Sequence, residues 1–247
     1  MKRSRLIVGI VAAVVIAGAA GVYGFATLFL HPAPSAVSLD PGSSQPAASI
    51  GPQPTGADAT LSGGLDGSWA IDTSIGSFSD FSDSWVGYRV DETLAGNRAN
   101  TAVGRTPDVT GTLVLSGTQI TSVDIAANLS TLQSDDDRRD GQLHRQALET
   151  DQFPQATFKL TSPIDLGALP ADGGTINVTA TGELTLHGVT KTVQVPIEAR
   201  LSGDVVTVVG SIEIKFADFS VEQPVSFAVL SIDDHGTVEF QLHFRHQ

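Results

Sequence analysis

Four aspartates stand close together near the middle of the chain, and clustered carboxylates are common ligands of calcium. The segment Ser134–Thr150 begins Ser-Asp-Asp-Asp and has a fourth carboxylate at Asp140. An EF-hand loop starting at Asp136 would put Arg138 at the third ligand position and Ala147 at the twelfth, and neither side chain supplies a calcium ligand. Carboxylates at these positions are instead suited to capping the first turn of a helix. We therefore expect a helix start here and no metal site.

Histidines and paired carboxylates are the other residues that could do chemistry. His243 and His246 are three residues apart near the end of an alternating segment, where this spacing sends them to opposite faces of a strand. His187 lies in a His-Gly turn, where it either serves the hairpin or donates to a polar headgroup at a barrel mouth. Asp72 and Glu183 could act as acid and base, but nothing in the sequence brings them together. Since no nucleophile elbow, zinc-protease helix, phosphate loop or dinucleotide fingerprint occurs either, we expect no enzyme and no cofactor.

Composition excludes further classes of site. The 247 residues contain no cysteine, which rules out a disulfide scaffold, a zinc ribbon, a thiol nucleophile and a cysteine-anchored lipoprotein. Fourteen Lys and Arg against 27 Asp and Glu give a formal net charge of -13, and an acidic surface argues against nucleic acid as a partner. Arg89, Arg98 and Arg105 form a loose basic group that either meets an anionic headgroup or pairs with the nearby Asp91 and Glu92.

Residues 1–30 have the pattern of a membrane anchor. Three basic residues precede Leu6–Leu30, a run of 25 uncharged residues that is long enough to cross roughly 30 Å of hydrocarbon as a helix. The basic flank predicts a cytoplasmic amino terminus and an extracytoplasmic remainder, in a single-pass protein of the cell membrane. A cleaved signal peptide with Ala17-Gly18-Ala19 as its cleavage site is the alternative. Both interpretations export the rest of the chain.

Residues 31–65 form a segment of different composition. They hold six of the twelve prolines, many Ala, Ser and Gly, and two charged residues, Asp40 and Asp58. Such a segment cannot bury enough apolar surface to offset the loss of chain entropy, and we predict a disordered tether.

Residues 66–247 alternate between apolar and polar side chains with a period of two, which is typical of β-strands with one dry face. Val193–Leu201 and Val238–Phe244 are the clearest examples, and Gly-containing turns separate such segments. Short turns between alternating strands indicate antiparallel pairing. We predict an all-β fold of about eight strands with one short helix within Ser134–Thr150. A closed antiparallel barrel is favoured because closure removes exposed edges, with a two-sheet sandwich as the alternative.

Four segments of this domain carry motifs that can be compared with known families. They are Trp69–Phe78, Ser134–Leu143, the aromatic-proline segment Phe153–Phe158, and Gly182–Lys191. In this order they cover residues 69–244 and resemble the YceI-like family of bacterial lipid-binding proteins with a lipocalin-like barrel. The first three resemble the family's opening strand, the segment before its helix and the start of the next strand. Gly182–Lys191 resembles its Gly-x-Leu-Thr-x-x-Gly-Val-Thr-Lys hairpin and is the most specific of the four.

The sequence departs from the family pattern in two regions. Many members carry a Gly-x-Phe element where this chain has Ser84–Arg89 and Val103–Thr106. An arginine often precedes an Asp-Phe-Gly-like sequence where this chain has Lys215–Ser220. We expect the fold to tolerate both departures, while the choice of ligand depends on them.

The resemblance implies that a long isoprenoid or another amphiphile binds inside the barrel. The alternating residues by themselves indicate an apolar interior, which is either a cavity or a core filled by its own side chains. A filled barrel would be a ligand-free interaction module of the cell envelope. If a cavity is present, we expect the following residues to line it: Trp69, Ile71, Phe158, Leu184, Leu186, Val195, Ile197, Ile214, Phe216, Phe240 and Leu242.

Overall fold

The structure is a computed structural model and describes residues 33–39, 64–224 and 229–247. Ser35–Gln247 form one compact unit, and the other unit is Met1–Pro34. The anchor predicted for residues 1–30 and most of the tether predicted for residues 31–65 lie outside the described residues and stay predictions. Within the described part of the chain, no helix is both long enough and apolar enough to cross a membrane.

The folded domain is built from strands that pair antiparallel throughout. The strands are β1 (Gly67–Ile71), β2 (Trp85–Leu94), β3 (Arg98–Thr106), β4 (Val109–Ser116), β5 (Gln119–Asn128), β6 (Gln155–Leu160), β7 (Ile164–Asp165), β8 (Thr175–Leu186), β9 (Val189–Ser202), β10 (Val205–Lys215), β11 (Val229–Ile232) and β12 (His235–His246).

Eight of these strand positions close into a barrel. The order β1-β4-β5-β6-β8-β9-β10-β12 returns to its start because β1 also pairs with β12, with Trp69 opposite His246. β1 and β2 pair with successive parts of the same strand, β12. β1 pairs with its last residues, and β2 pairs with residues before them, where Gln241 lies opposite Trp85. β3 pairs with β2 and leads into β4 after a short interruption. The predicted closed antiparallel barrel of about eight strands is therefore confirmed, because a sandwich would leave these edges unpaired.

Among the described residues, the one α-helix is α1 (Asp137–Gln142), and it begins where the acidic segment predicted it. Asp136 is the N-cap, and its carboxylate accepts from the backbone N–H groups of Arg138 and Arg139 at 2.8 and 3.4 Å. The helix continues as a wider π-helical turn, Leu143–Ala147. We call these residues, together with the 3-10 turns Leu129–Thr131 and Phe216–Phe219, the helical plug.

The helical plug covers one end of the barrel. Its buried side chains Leu129, Ala147 and Phe219 form a hydrophobic cluster with Leu184 and Leu186, at the end of β8. A second cluster, around Trp69 and Phe244, occupies the part of the barrel where β1 meets the end of β12. The barrel therefore has a covered end at the plug and an opposite end formed by strand turns.

A short described piece of the predicted tether lies against the outside of the barrel. Ser35–Leu39 has no regular secondary structure, and the Arg105 Nη2 donates to the Ser35 carbonyl oxygen at 3.4 Å. Val37 sits in a shallow groove formed by the outer sides of β8, β9 and β10. This part of the segment contacts the folded domain.

Candidate ligand cavity

The barrel encloses a cavity of about 210 Å³. A well-packed core leaves few voids larger than one water molecule, so this volume marks a hollow interior rather than imperfect packing. Among the described residues that line it, Thr157 is the single polar residue, and the others are aliphatic, aromatic or proline. The cavity is therefore an apolar chamber without a dedicated charged group.

The cavity stays open because large rings lie flat against the wall. A Cβ atom added to Gly182 would stand 2.4 Å from the Phe158 ring, and one added to Gly210 would stand 2.5 Å from the Phe240 ring. Each glycine thus leaves a recess that a ring from the neighbouring strand fills. Since the rings occupy these recesses, they do not extend across the interior.

Small side chains widen the interior further. Ala127, Ala156, Ala180 and Ala199 all line the cavity, and each projects a single carbon from its strand. Larger residues at these positions would meet across a barrel of eight strands, whose interior is just wide enough for side chains to fill. The alternation in sequence sets which positions point inward, and the alanines and glycines set how much space remains.

The cavity extends from the helical plug to the opposite end of the barrel. Leu184 and Val238 line it near the plug. Leu65, Leu169 and Pro170 line it at the other end. Leu169 is 37% exposed, so the chamber reaches the protein surface beside this leucine.

The structure brings eight of the eleven residues predicted as cavity lining onto the cavity wall. They are Trp69, Phe158, Leu184, Leu186, Val195, Ile197, Phe240 and Leu242. The other three do not line the cavity. Ile71 ends β1 and packs against the cluster around Trp69 and Phe244. Ile214 is buried in the cluster beneath the plug, and Phe216 follows the end of β10 in a 3-10 turn. These three positions lie at strand ends or beneath the plug, where the cavity does not extend.

Sequence reasoning missed lining residues on several strands and in one loop, and two of these regions show why. Leu113, Leu115 and Val123 come from β4 and β5, whose weaker alternation contained the necessary signal. Leu166 and Leu169 come from the loop after β7, where no periodicity exists and only the tertiary structure shows which way a side chain points.

The residues considered for catalysis and metal binding have structural partners. Asp72 accepts from the Arg245 Nε at 2.7 Å, while Glu183 lies on β8 opposite Lys159 of β6. The two carboxylates therefore have separate neighbours. Hydrogen bonds from Ser74 and from Arg245 lower the pKa of Asp72 to about 2. Within the described residues, no group of three or more His, Asp or Glu side chains is placed to hold a metal ion.

The histidines also stabilise the fold. His187 is buried in the β8–β9 turn, and its Nε2 lies 2.9 Å from a carboxylate oxygen of Glu149. Its ring packs edge-on against Phe153, with 4.5 Å between centroids. His187 therefore holds the hairpin at the plugged end, which favours the structural of the two predicted roles. The His243 Nδ1 lies 3.0 Å from the Thr207 hydroxyl, and the His246 Nε2 lies 2.9 Å from the Asp66 carbonyl oxygen.

A buried charge cluster lies on the outer face of the barrel, beneath residues 72–84. The Arg105 Nη2 donates to Glu239 Oε1 at 3.0 Å, and the Arg89 Nε lies 3.6 Å from Glu239 Oε2. The guanidinium of Arg105 stacks 3.9 Å from the Trp85 ring and 4.4 Å from the Phe81 ring. We call these five residues the outer charge cluster.

The outer charge cluster corrects the expected pairing of the basic group. Glu239 of β12 is the partner of Arg89 and Arg105, and Glu92 instead accepts from Arg139 of the helix at 3.3 Å. Glu239 is 1% exposed. Its side chain lies on the outer face, where it pairs with the two arginines, and it does not line the cavity. The sequence region that departs from the family pattern supplies Trp85, Arg89 and Arg105 to this cluster.

Comparison with solved structures finds the same fold. A polyisoprenoid binding domain from Saccharophagus degradans, implicated in plant cell wall breakdown, matches with a TM-score of 0.56 at 21% identity, over 72% of this chain and 98% of that chain. BcnA from Burkholderia cenocepacia matches with a TM-score of 0.50 at 22% identity, over 65% of this chain and 95% of that chain. A search of curated proteins found no match.

The family comparison agrees with the resemblance found in the motifs. The YceI-like domain family model matches residues 69–244, from the first barrel strand to the last. This range covers more than half of the chain and includes all eight strand positions of the closed barrel. The chain therefore belongs to the YceI-like family.

Proposed function

We propose that this protein is a membrane-tethered, extracytoplasmic binding protein that holds the chain of an isoprenoid or a similar amphiphile in its barrel. Its role would be to carry, store or scavenge this lipid without transforming it chemically. The observation that carries the proposal is the hollow interior of about 210 Å³ with an apolar wall. A similar structure is described as a polyisoprenoid binding domain, and this supports the same class of ligand here.

The size and chemistry of the cavity favour one slender hydrocarbon chain. Its volume lies below the roughly 300–1,000 Å³ of typical small-molecule pockets, which disfavours a bulky or polycyclic ligand. Apolar voids of ~150 Å³ stay dry and accept apolar guests. Each methylene group moved from water into such a wall gains about 0.8 kcal/mol, so a chain can bind firmly without a charged anchor.

The position of the cavity opening supports exchange with a lipid surface. Leu169 is exposed and lines the cavity, and the loop that carries it has no regular strand pairing. A hydrocarbon chain entering here would meet an apolar side chain before it reached the interior. The predicted anchor in residues 1–30 would keep the barrel near the membrane that supplies the lipid.

Extraction of the natural ligand tests the proposal directly. We expect the full-length protein, purified from its native membrane and extracted with organic solvent, to release a single-chain or isoprenoid lipid in near-stoichiometric amount by mass spectrometry. Absence of any lipid, together with no uptake of isoprenoids by the delipidated protein, would contradict it. That result would favour the alternative, a ligand-free interaction module of the cell envelope.

A substitution that fills the cavity tests where the lipid binds. Ala180 lines the cavity and is 1% exposed, so Ala180→Leu should occupy part of the interior and abolish most lipid uptake. Thr179→Leu is the matched control, because it adds a leucine to the same strand at an exposed position. Equal uptake by the two variants would place the lipid outside the barrel.

The location of the domain has its own test. We expect protease added to intact spheroplasts to degrade the barrel, and a cytoplasmic marker protein to survive. A barrel that is protected until the cells are lysed would refute the extracytoplasmic location, whatever the outcome of the lipid experiments.

A further inference from the structure

The end of the barrel opposite the helical plug has a rim whose segments are joined by hydrogen bonds. The Asp66 carboxylate accepts from the Gly117 N–H at 2.6 Å, which joins the start of β1 to the β4–β5 turn. The Leu166 N–H donates to a carbonyl oxygen of the same turn at 2.9 Å, which joins it to the loop after β7. The Gly203 N–H of the β9–β10 turn donates to Asp172, at the far end of that loop, at 2.7 Å. We call these four connected segments the open rim.

The loop between β7 and β8 is the apolar part of the open rim. Its segment Leu166–Ala171 contains no charged residue, and Leu166, Leu169 and Pro170 line the cavity. Among the described residues, Leu169 is one of two large hydrophobic residues that are exposed. The other, Leu230, lies on β11, which leads to the start of β12 at the plugged end. Leu169 therefore joins the apolar wall of the cavity to the protein surface, where an apolar ligand would enter.

Carboxylates flank this apolar loop on both sides. Asp165 precedes the loop and Asp172 follows it, and both are exposed, as is Asp66. Each of the three accepts a hydrogen bond from a backbone N–H group, which leaves its negative charge in place. The apolar loop is therefore bordered by acidic side chains.

Arginines at this end of the barrel do not cancel that charge. Arg245 of β12 pairs with two further carboxylates, Asp72 and Asp204. The Arg200 Nε of β9 donates to the Thr175 hydroxyl at 3.2 Å. One arginine thus stands against the three flanking carboxylates, and the open rim keeps a net negative charge.

We propose that the open rim is the surface with which the barrel docks on a lipid bilayer, and that it selects bilayers without net negative charge. This inference rests on the proposed function, because it assumes that the cavity takes its ligand from a membrane. Leu169 and its neighbours in the loop enter the headgroup layer, and the flanking carboxylates lie among the headgroups. A zwitterionic or uncharged layer accepts this arrangement, whereas an anionic layer repels carboxylates within about 10 Å, the screening length at ~0.1 M salt.

A fluorescent probe at position 169 measures docking directly. The chain contains no cysteine, so Leu169→Cys in the full-length protein gives one site for an environment-sensitive probe. With the protein reconstituted in phosphatidylcholine vesicles, nitroxide-labelled headgroups should quench this probe. Replacing part of the phosphatidylcholine by phosphatidylglycerol should reduce the quenching roughly fivefold at low salt, and high salt should restore it. Leu230→Cys is the matched control, because it labels the other exposed leucine, and its probe should stay unquenched.

Removing the carboxylates tests what sets the selectivity. The first variant changes the three flanking carboxylates to amides: Asp66→Asn, Asp165→Asn and Asp172→Asn. Each amide keeps a side-chain oxygen that can accept the same backbone N–H, so this variant should dock on phosphatidylglycerol-containing vesicles about as well as on phosphatidylcholine. The control variant makes the same change at three exposed positions in or beside the helical plug: Asp137→Asn, Asp151→Asn and Asp218→Asn. It should keep the selectivity of the wild type.

Other outcomes overturn specific parts of the inference. If the probe at position 169 is unquenched on both membranes, or if only the probe at position 230 is quenched, the open rim is not the docking surface. If quenching is equal on the two membranes, or if the control variant alone changes it, the rim does not select by charge. The salt dependence of the protein with its aspartates intact decides this point even if the amide variant does not fold. If the probe is quenched as expected but the isoprenoid alcohol farnesol does not bind in the cavity, the docking surface stands and the proposed function fails.

Discussion

The two tryptophans of the chain lie on opposite faces of the same barrel wall. Trp69 of β1 faces the cavity, and Trp85 of β2 faces outward and stacks on Arg105. Both are almost completely buried, and each indole N–H donates to the carbonyl oxygen four residues earlier, at 3.0 and 3.1 Å. Their local geometry is therefore alike, and their surroundings differ completely.

The inner face excludes charge and leaves space, and the outer face under residues 72–84 contains charge and leaves no space. Inside, glycines and alanines make room beside flat-lying rings. Outside, a Cβ atom at Gly87 would stand 2.4 Å from the Gly104 carbonyl oxygen and 2.7 Å from the Arg105 side chain. Burial alone thus does not define the core of this protein, because one buried region is hollow and apolar and the other is filled and ionic.

The largest expected effect comes from removing the buried acid of the outer charge cluster. Glu239→Gln leaves Arg105 and Arg89 without their carboxylate in a buried site, and we expect the free energy of unfolding to fall by roughly 3–5 kcal/mol. Denaturant unfolding measures this change. Glu183→Gln, an exposed change on β8, should stay within about 0.5 kcal/mol of the wild type. Near-equal stability of the two variants would show that the cluster is not a buried ionic core.

A second prediction compares the space available on the two faces. Gly87→Ala adds one carbon against the backbone of β3 and should lower the free energy of unfolding by about 1–3 kcal/mol. Ala180→Leu adds three carbons inside the cavity and should change it by less than about 1 kcal/mol, because the added atoms enter an existing void. Thermal or denaturant unfolding of both variants checks the order. The reverse order would mean that the interior is filled.

A third prediction uses the tryptophans as reporters of the two regions. Trp85→Phe leaves Trp69 as the sole tryptophan, and its fluorescence should change on addition of farnesol because it lines the cavity. Trp69→Phe leaves only Trp85, whose emission should hardly change. A response from Trp85 alone would place the ligand on the outer face.

The smallest expected effect is the pH dependence of the contact between Asp72 and Arg245, near the edge of the region that residues 72–84 cover. The pKa of Asp72 is lowered from 3.8 to about 2, so the carboxylate stabilises the folded state above pH 4. This contribution is lost as the pH falls from about 4 toward 2. Asp72→Asn should therefore be less stable than the wild type at neutral pH, with a difference that shrinks over this range. If the difference in stability between Asp72→Asn and the wild type does not depend on pH, the ionised carboxylate is not the group that stabilises the folded state.

Local sequence patterns were sufficient to predict much of the fold. The acidic segment predicted the helix start at Asp136, because capping involves residues only a few positions apart. The alternation in β8 and β9 predicted which side chains point inward, and Leu184, Leu186, Val195 and Ile197 do line the cavity. The same rule failed at Phe216, because the strand ends at Lys215 and the backbone turns.

Contacts between distant parts of the chain were not predictable in the same way. Arg105 and Glu239 are 134 residues apart, and no local rule pairs them, so the sequence suggested the nearby Asp91 and Glu92 instead. The loop around Leu169 lines the cavity but has no alternation of apolar and polar residues, so the sequence could not predict which of its side chains point inward. Its place at the barrel end results from the connection between β7 and β8.

The sequence alone determined that the domain consists of antiparallel strands with one apolar face, since a period of two and short turns are properties of neighbouring residues. Closure of these strands into a barrel rests on the pairing of β1 with β12, which lie at opposite ends of the domain sequence. Only the tertiary structure decided that the inner face encloses a void while part of the outer face buries charge. The physical reason is that volume and ion pairing depend on which strands become neighbours. Phe240 lies flat because Gly210 stands opposite it, and Glu239, one residue earlier, is buried because Arg105 and the segment 72–84 cover the other side of the same strand.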